Sequence, residues 1–329
     1  MRVIDLREEI SKSKENKTMT TNAAGRYFVV AFGFILIAGL TAAEPVKAEE
    51  PSAGTQMLDA MPPELFQKMF RDQTLVGSPG LAWKRKRVLT VAFDGGSDDL
   101  YELIERTAND WTAAGGQLSL SFKDDAGQYR HWTTTDSVPA ADIRISFDRK
   151  GYWSMLGVLA TKVEPGDPTM NYQGFPEKLK KYFGGANAAE WRKSYEHTAI
   201  LHEFGHAFGL SHEHFNPECQ KDLLLETIIA YLMGPPNNWT REVALFNIDA
   251  QYYAKMLAQQ AGPLESKIIN KSYTDQSSVM LYTFPPEFFA SGDRSVCKPA
   301  GDRDRRWATT LSEDDELFYV SNYRVVSAP

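Results

Sequence analysis

His202-Glu203-Phe204-Gly205-His206-Ala207-Phe208-Gly209-Leu210-Ser211-His212-Glu213-His214 holds four of the chain's six histidines, and its reading decides the fold. On a helix, residues four apart lie about 40° apart around the axis and one turn apart along it. His202 and His206 therefore aim two imidazoles at one point, as a zinc ion requires. Glu203 stands about 100° round from His202, so it reaches a ligand of such an ion without occupying the ion itself. Gly209 falls where the helix must stop, and glycine tolerates the left-handed backbone that ends helices. The turn there can swing His212 back as a third ligand. Three neutral imidazoles leave the fourth position of a tetrahedral ion open to water, which is the catalytic rather than the closed structural arrangement. HExxH alone arises by chance in about one chain in a hundred, and the added Gly and His make coincidence roughly several hundredfold rarer.

Outward from the cluster the pattern is mixed. Residues 88–93 (VLTVAF) are β-rich and run into the turn signal Asp94-Gly95-Gly96. Leu100, Leu103, Ile104, Ala108 and Trp111 make a helical stripe over 98–114, closed by Gly115-Gly116. Residues 118–122 and 143–147 alternate as half-buried strands, and 153–160 and 169–172 are shorter strand candidates. A helical pattern over 188–209 leads into the histidines. Beyond them come helical stretches at 223–233 and 243–256, then an amphipathic piece at 313–319 behind the cap-like Ser312. Strands with one helix, then the cluster helix, then irregular structure make an α+β layout.

The HExxHxxGxxH pattern, together with Ser278-Val279-Met280-Leu281-Tyr282 further on, resembles the metzincin metallopeptidases and their Met-turn. Glu213 after the third histidine, and Tyr282 two places after Met280, are similar to the astacin-like branch. The resemblance spans residues 83–323 and includes Trp153-Ser154-Met155-Leu156-Gly157, like the family's upper strand. Leu311-Ser312 with Asp315 and Tyr323 is like its closing helix. It implies a metzincin-like zincin fold, with an upper mixed sheet, an active-site helix and a loop-rich lower half. It also implies one catalytic zinc ion held by His202, His206 and His212, with Glu203 as general base and a peptide or protein as substrate. Met280 would form an apolar floor, and Tyr282 a swinging fifth ligand that hydrogen-bonds the oxyanion; the alternative for Tyr282 is a core tyrosine with a satisfied hydroxyl. His214 is expected at the surface or behind the ligands, Glu213 in a structural role, and His197 and His131 away from the site. Residues 153–159 are either an edge strand that pairs with substrate or a plain core strand.

The chain also departs from that branch. Leu281 stands where a histidine is usual, and His214-Phe215-Asn216-Pro217 replaces the usual Arg/Asp string. No cysteine precedes the histidines, so a cysteine switch is excluded, and no inhibitory prosegment motif is evident.

Composition sets the remaining bounds. The 329 residues are 43% hydrophobic and 24% charged, which excludes a mainly disordered chain. Thirty-six basic against 43 acidic residues give a net charge of −7 with no basic stripe, so nucleic acid is not an expected partner. The run Lys84-Arg85-Lys86-Arg87 reads as the solvated start of a strand. Residues 27–43 are apolar, follow Arg26 and close on Thr41-Ala42-Ala43, as a secretory signal does. Met19 is a plausible start that would give this signal its ordinary length. The expected location is therefore secreted or periplasmic, with no membrane contact after cleavage; a signal anchor is the alternative. Residues 1–48 form the extension and signal, 49–82 a linker, arm or short prosegment, and 83–325 the catalytic domain, with halves 83–212 and 213–325. Cys219 and Cys297 form a disulfide in an oxidising compartment or else stay as two buried thiols. A cell-wall peptide hydrolase and a zinc-stabilised binding module without activity are the rival readings. Oligomeric state is not legible.

Overall fold

Val88–Phe93 (β1) lies inside the sheet, between two neighbouring strands, and is buried at Leu89, Val91, Ala92 and Phe93. Leu89, Val91 and Phe93 enter the main core, while Ala92 joins a small cluster with Trp132 and Ala141 on the other side. The next element, Asp98–Ala113 (α1), buries Leu100, Leu103, Ile104, Ala108 and Trp111 as expected, and carries Asp98 and Asp99 in its first turn, where they favour the helix dipole. Full burial of each large aliphatic side chain contributes about 1.5–3 kcal/mol. Ser119–Ser121 (β2), Arg130–His131 (β3), Ile143–Ser146 (β4), Tyr152–Ser154 (β5) and Met170–Tyr172 (β6) complete the sheet. Its order is β2-β1-β4-β6-β5, with β3 also on β1. All pairings are parallel except β5 on β6. The mixed sheet is as the sequence implied.

The computed structural model describes residues 81–83, 88–235, 237–261, 273–300 and 307–323, all within one compact unit. The signal, the arm up to residue 80 and the basic run 84–87 lie outside the described residues, and no helix among the described residues is long and apolar enough to cross a membrane.

Three expectations need correction. The strand expected over 153–160 stops at Ser154, and Gly157–Lys162 winds as a 3-10 helix instead. The Val158 N–H is taken at 2.9 Å by the Leu81 carbonyl, so no strand can claim it. The helix expected over 188–209 is two pieces: a turn at Ala188–Trp191 and the helix Tyr195–Ala207 (α2). Ser194 is extended there and its hydroxyl accepts the His197 N–H at 3.2 Å, an N-cap that starts α2 afresh. After it come Pro217–Asp222 (α3), Leu225–Met233 (α4), Arg241–Ile248 (α5) and Ala250–Ala261 (α6). The last two replace the single stretch expected over 243–256. Asp249 divides them, its carboxylate accepting the N–H groups of Gln251 and Tyr252 at 2.8 and 3.2 Å.

Glu313–Asn322 (α7) closes the unit behind a Ser312/Asp315 capping box. Among the described residues after His212 there is no ladder strand, only helices, loops and a lone bridge between Leu223 and Phe289. Cys219 and Cys297 form the disulfide, their Cα atoms 5.3 Å apart.

Candidate metal centre

Helix α2 is buried on every side from His197 to Ala207. It can be so because its neighbours supply both apolar surface and hydrogen bonds. The Trp111 indole on α1 donates to the Leu201 carbonyl at 2.9 Å. Gly205 lies where the helix meets the Met280 side chain, and a Cβ there would overlap the Met280 sulfur and press on Trp111. Met280 is 1% exposed, so the expected apolar floor lies directly against the helix between its two histidines. The spacing gave no hint that the second residue of the HExxH interior had to be glycine for this reason.

At the end of α2, Gly209 has φ +95, a conformation that glycine alone adopts without strain. The chain reverses there and brings His212 back beside the helix. One ring nitrogen of each of His202, His206 and His212 then lies within 4.8 Å of the others. The Nε2 atoms of His206 and His212 are 3.1 Å apart. Two ligands at the usual zinc–nitrogen distance in a tetrahedron are about 3.3 Å apart, so the approach fits one ion between them.

Ring orientation is fixed from behind. His202 Nδ1 meets the Val279 carbonyl at 2.7 Å, and His206 Nδ1 meets the Leu210 carbonyl at 2.8 Å. A carbonyl only accepts, so both rings carry their proton on Nδ1 and keep the Nε2 lone pair for a metal. A donor set of neutral imidazoles with fixed tautomers suits zinc.

Val279 belongs to the Met-turn, which is itself held from α7. The Asp315 carboxylate accepts the Ser278 hydroxyl at 2.7 Å, the Val279 N–H at 3.0 Å and the Ser312 N–H at 3.1 Å. Burial pushes this carboxyl up from the usual range, against the pull of those hydrogen bonds. On the other side of the turn, the Met280 carbonyl accepts the Glu213 N–H at 2.9 Å, and the Glu213 carboxylate accepts the Asp275 N–H at 2.8 Å. Glu213 thus has the structural place expected of it. The cap-like Ser312 announced a helix start, but nothing local announced that the Asp315 carboxylate would also carry the turn beneath His202.

Glu203 is fully buried on α2 next to His202. The Tyr282 ring stands 4.3 Å from the His212 ring and 4.6 Å from that of His214. His214 is not at the surface: it is fully buried, its ring 4.9 Å from His212 and its Nε2 2.8 Å from the Asn247 carbonyl. His131 is exposed near Tyr101.

His197 faces away from the cluster and packs edge-on against Trp191. Burial, with the Arg192 and Arg106 charges behind it, lowers its pKa from 6.5 to about 4. The neutral ring is thus the form the fold accepts, while the unfolded chain protonates below pH 6.5. Its contribution is complete above pH 6.5 and is lost as pH falls to about 4, by about 3 kcal/mol in all. Urea unfolding of wild type and His197→Gln across this window should show the difference between them shrinking toward low pH; parallel curves would refute the assignment.

No known protein-family profile matches the chain, and no curated protein does. Among solved structures, myroilysin overlays with a TM-score of 0.50 at 21% identity, covering 75% of this chain and 95% of that one. The chain has the metzincin-like fold. A crystal structure of myroilysin gives a TM-score of 0.43 at 21% identity, covering 76% of this chain and 86% of the other. High choriolytic enzyme 1, a hatching enzyme zinc-protease from the medaka fish Oryzias latipes, gives 0.37 at 15% identity over 78% and 96%.

Proposed function

We propose that this chain is an exported zinc endopeptidase. The observation that carries the reading is the convergence of three imidazole nitrogens, two of the rings having their other nitrogen committed to a backbone carbonyl. His202, His206 and His212 would hold the ion. Bound there, zinc supplies a Lewis acid for the scissile carbonyl and lowers the pKa of water toward about 7. Glu203 takes the proton of the attacking water as general base and returns it to the departing amine. The Tyr282 hydroxyl stabilises the developing oxyanion. Residues 83–212 and 213–325 serve as the two walls of the substrate site, and the apolar segment 27–43 directs export. A buried carboxylate is costly to keep and a purely structural zinc site has no use for one, so Glu203 favours hydrolysis over a silent binding module.

The test is peptide cleavage by the exported form, Glu49 onward, with zinc analysis of the same sample, with and without a chelator. About one zinc per chain and chelator-sensitive cleavage are expected. Zinc without cleavage, persisting after residues 49–80 are trimmed away, would overturn the peptidase reading in favour of a binding module. No zinc uptake would overturn the site itself.

A further inference from the structure

The last four carbonyls of a helix have no partner within it, and at the end of α2 they are satisfied in two different ways. The turn at Gly209 takes two of them. Gly209 N–H donates to the His206 carbonyl at 2.8 Å and Leu210 N–H to the Gly205 carbonyl at 3.0 Å, a Schellman arrangement. The carbonyls of Ala207 and Phe208 remain, and both residues are buried. The Trp83 indole N–H donates to Ala207 O at 2.8 Å, and the Tyr323 hydroxyl donates to Phe208 O at 2.7 Å. Trp83's own backbone N–H donates to the Tyr323 oxygen at 3.3 Å, across 240 residues of sequence. One of these residues stands ahead of β1 and the other just past α7, so the first and last described stretches meet on this helix terminus.

A neighbouring contact closes the same corner. The Leu81 carbonyl, which accepts the Val158 N–H at 2.9 Å, sits where a Cβ on Gly157 would collide with it, and a Cβ on Gly209 would come within 3.2 Å of it. What is clamped here matters for the metal. Leu210, whose N–H closes the Schellman turn, gives its carbonyl to His206 Nδ1, and His212 follows two residues later.

We propose that Trp83 and Tyr323 are positioning residues for the metal centre. By taking the two remaining carbonyls of α2 they fix the turn at Gly209, and with it the Leu210 carbonyl that orients His206 and the path that returns His212. The proposal rests on the zinc reading of the triad. Its chemistry is that of an outer support, two steps removed from the ion, where loss of a ligand's hydrogen-bond partner weakens metal binding by about 10–100-fold.

The test uses Tyr323→Phe, which removes one oxygen, with Tyr319→Phe as its matched control. Tyr319 is an equally buried tyrosine of α7 whose hydroxyl goes to the Leu118 carbonyl, away from the cap. Zinc affinity is measured by competition with a chelator at a temperature where every variant is fully folded, and the visible spectrum is recorded with cobalt in place of zinc. Tyr323→Phe should weaken zinc binding about tenfold and shift the cobalt spectrum, while Tyr319→Phe leaves both as in wild type. Trp83→Phe should act in the same direction, and the double variant should lose less than the sum of the two, because the residues hold each other. If Trp83→Phe does not fold, Tyr323→Phe alone decides. Equal loss of stability in Tyr323→Phe and Tyr319→Phe, with wild-type zinc affinity and spectrum in both, would overturn the clamp and leave the zinc site standing. A wild-type chain that takes up no zinc would instead overturn the reading beneath it, and the clamp with it.

Discussion

Glu203→Gln is expected to lower kcat/KM for peptide hydrolysis by about 10²–10⁴-fold, the ordinary contribution of a positioned general base, while the protein keeps its zinc. Two features make the effects separable. Among the described residues the converging nitrogens are those of His202, His206 and His212, so the substitution removes none of them. Glutamine matches the shape of glutamate, so the fully buried position on α2 stays filled. The variant should fold and bind a stoichiometric metal while its turnover falls by that factor. His206→Gln is the opposite control, because it deletes a ring whose Nδ1 is already committed to Leu210; it should lose metal and activity together. Hydrolysis by Glu203→Gln within a few fold of wild type, at full zinc, would remove Glu203 from the mechanism.

How much of this was legible in the sequence depends on how far apart the cooperating residues lie. The pair His202 and His206 could be placed from helical spacing, and the return of His212 from Gly209, because both are local consequences of backbone geometry. The Met-turn was legible only through its resemblance to a known pattern; its hold on His202 through the Val279 carbonyl has no sequence signal, since any residue carries a carbonyl. The error at 153–160 has the same origin. The run reads as a short strand, but the N–H of Val158 belongs to Leu81, which no periodicity within the run can reveal. Helix α2 was drawn too long because its apolar pattern continues upstream of Ser194, where a hydroxyl cap outweighs it. Of the two places expected for His214, the structure takes the one behind the ligands and buries it among the rings of His212, Tyr282 and Phe284, surroundings that come in part from distant segments.

Removal of the disulfide, by Cys219→Ser with Cys297→Ser, should cost about 4–5 kcal/mol of folding stability in the chain-entropy model while leaving zinc affinity and kcat unchanged below the unfolding transition. The size follows from the 78 residues the bridge spans, and it is a large share of the roughly 5–15 kcal/mol that holds a native domain together. The separation of stability from function follows from what else joins the two segments. The Asp222 carboxylate accepts the N–H and hydroxyl of Ser291 at 2.8 and 2.6 Å, the Asp222 carbonyl accepts the Ala290 N–H at 2.7 Å, and Leu224 N–H donates to the Phe288 carbonyl at 2.8 Å. These bonds keep the end of α3 against residues 288–291 whether or not the sulfurs are joined, so the bridge acts mainly by restricting the unfolded chain. Both cysteines are fully buried, so a reductant should leave the native protein intact for long periods and act quickly only near the urea midpoint. A bridge of this kind persists in an oxidising compartment and not in a reducing one, which ties the result to the export reading: protein made under reducing conditions should be the less stable form by the same amount. Urea unfolding of the two forms measures it. A loss below about 1 kcal/mol would mean that the denatured chain is already constrained across this loop, and a drop in zinc affinity at unchanged stability would mean that the bridge shapes the site rather than the unfolded state.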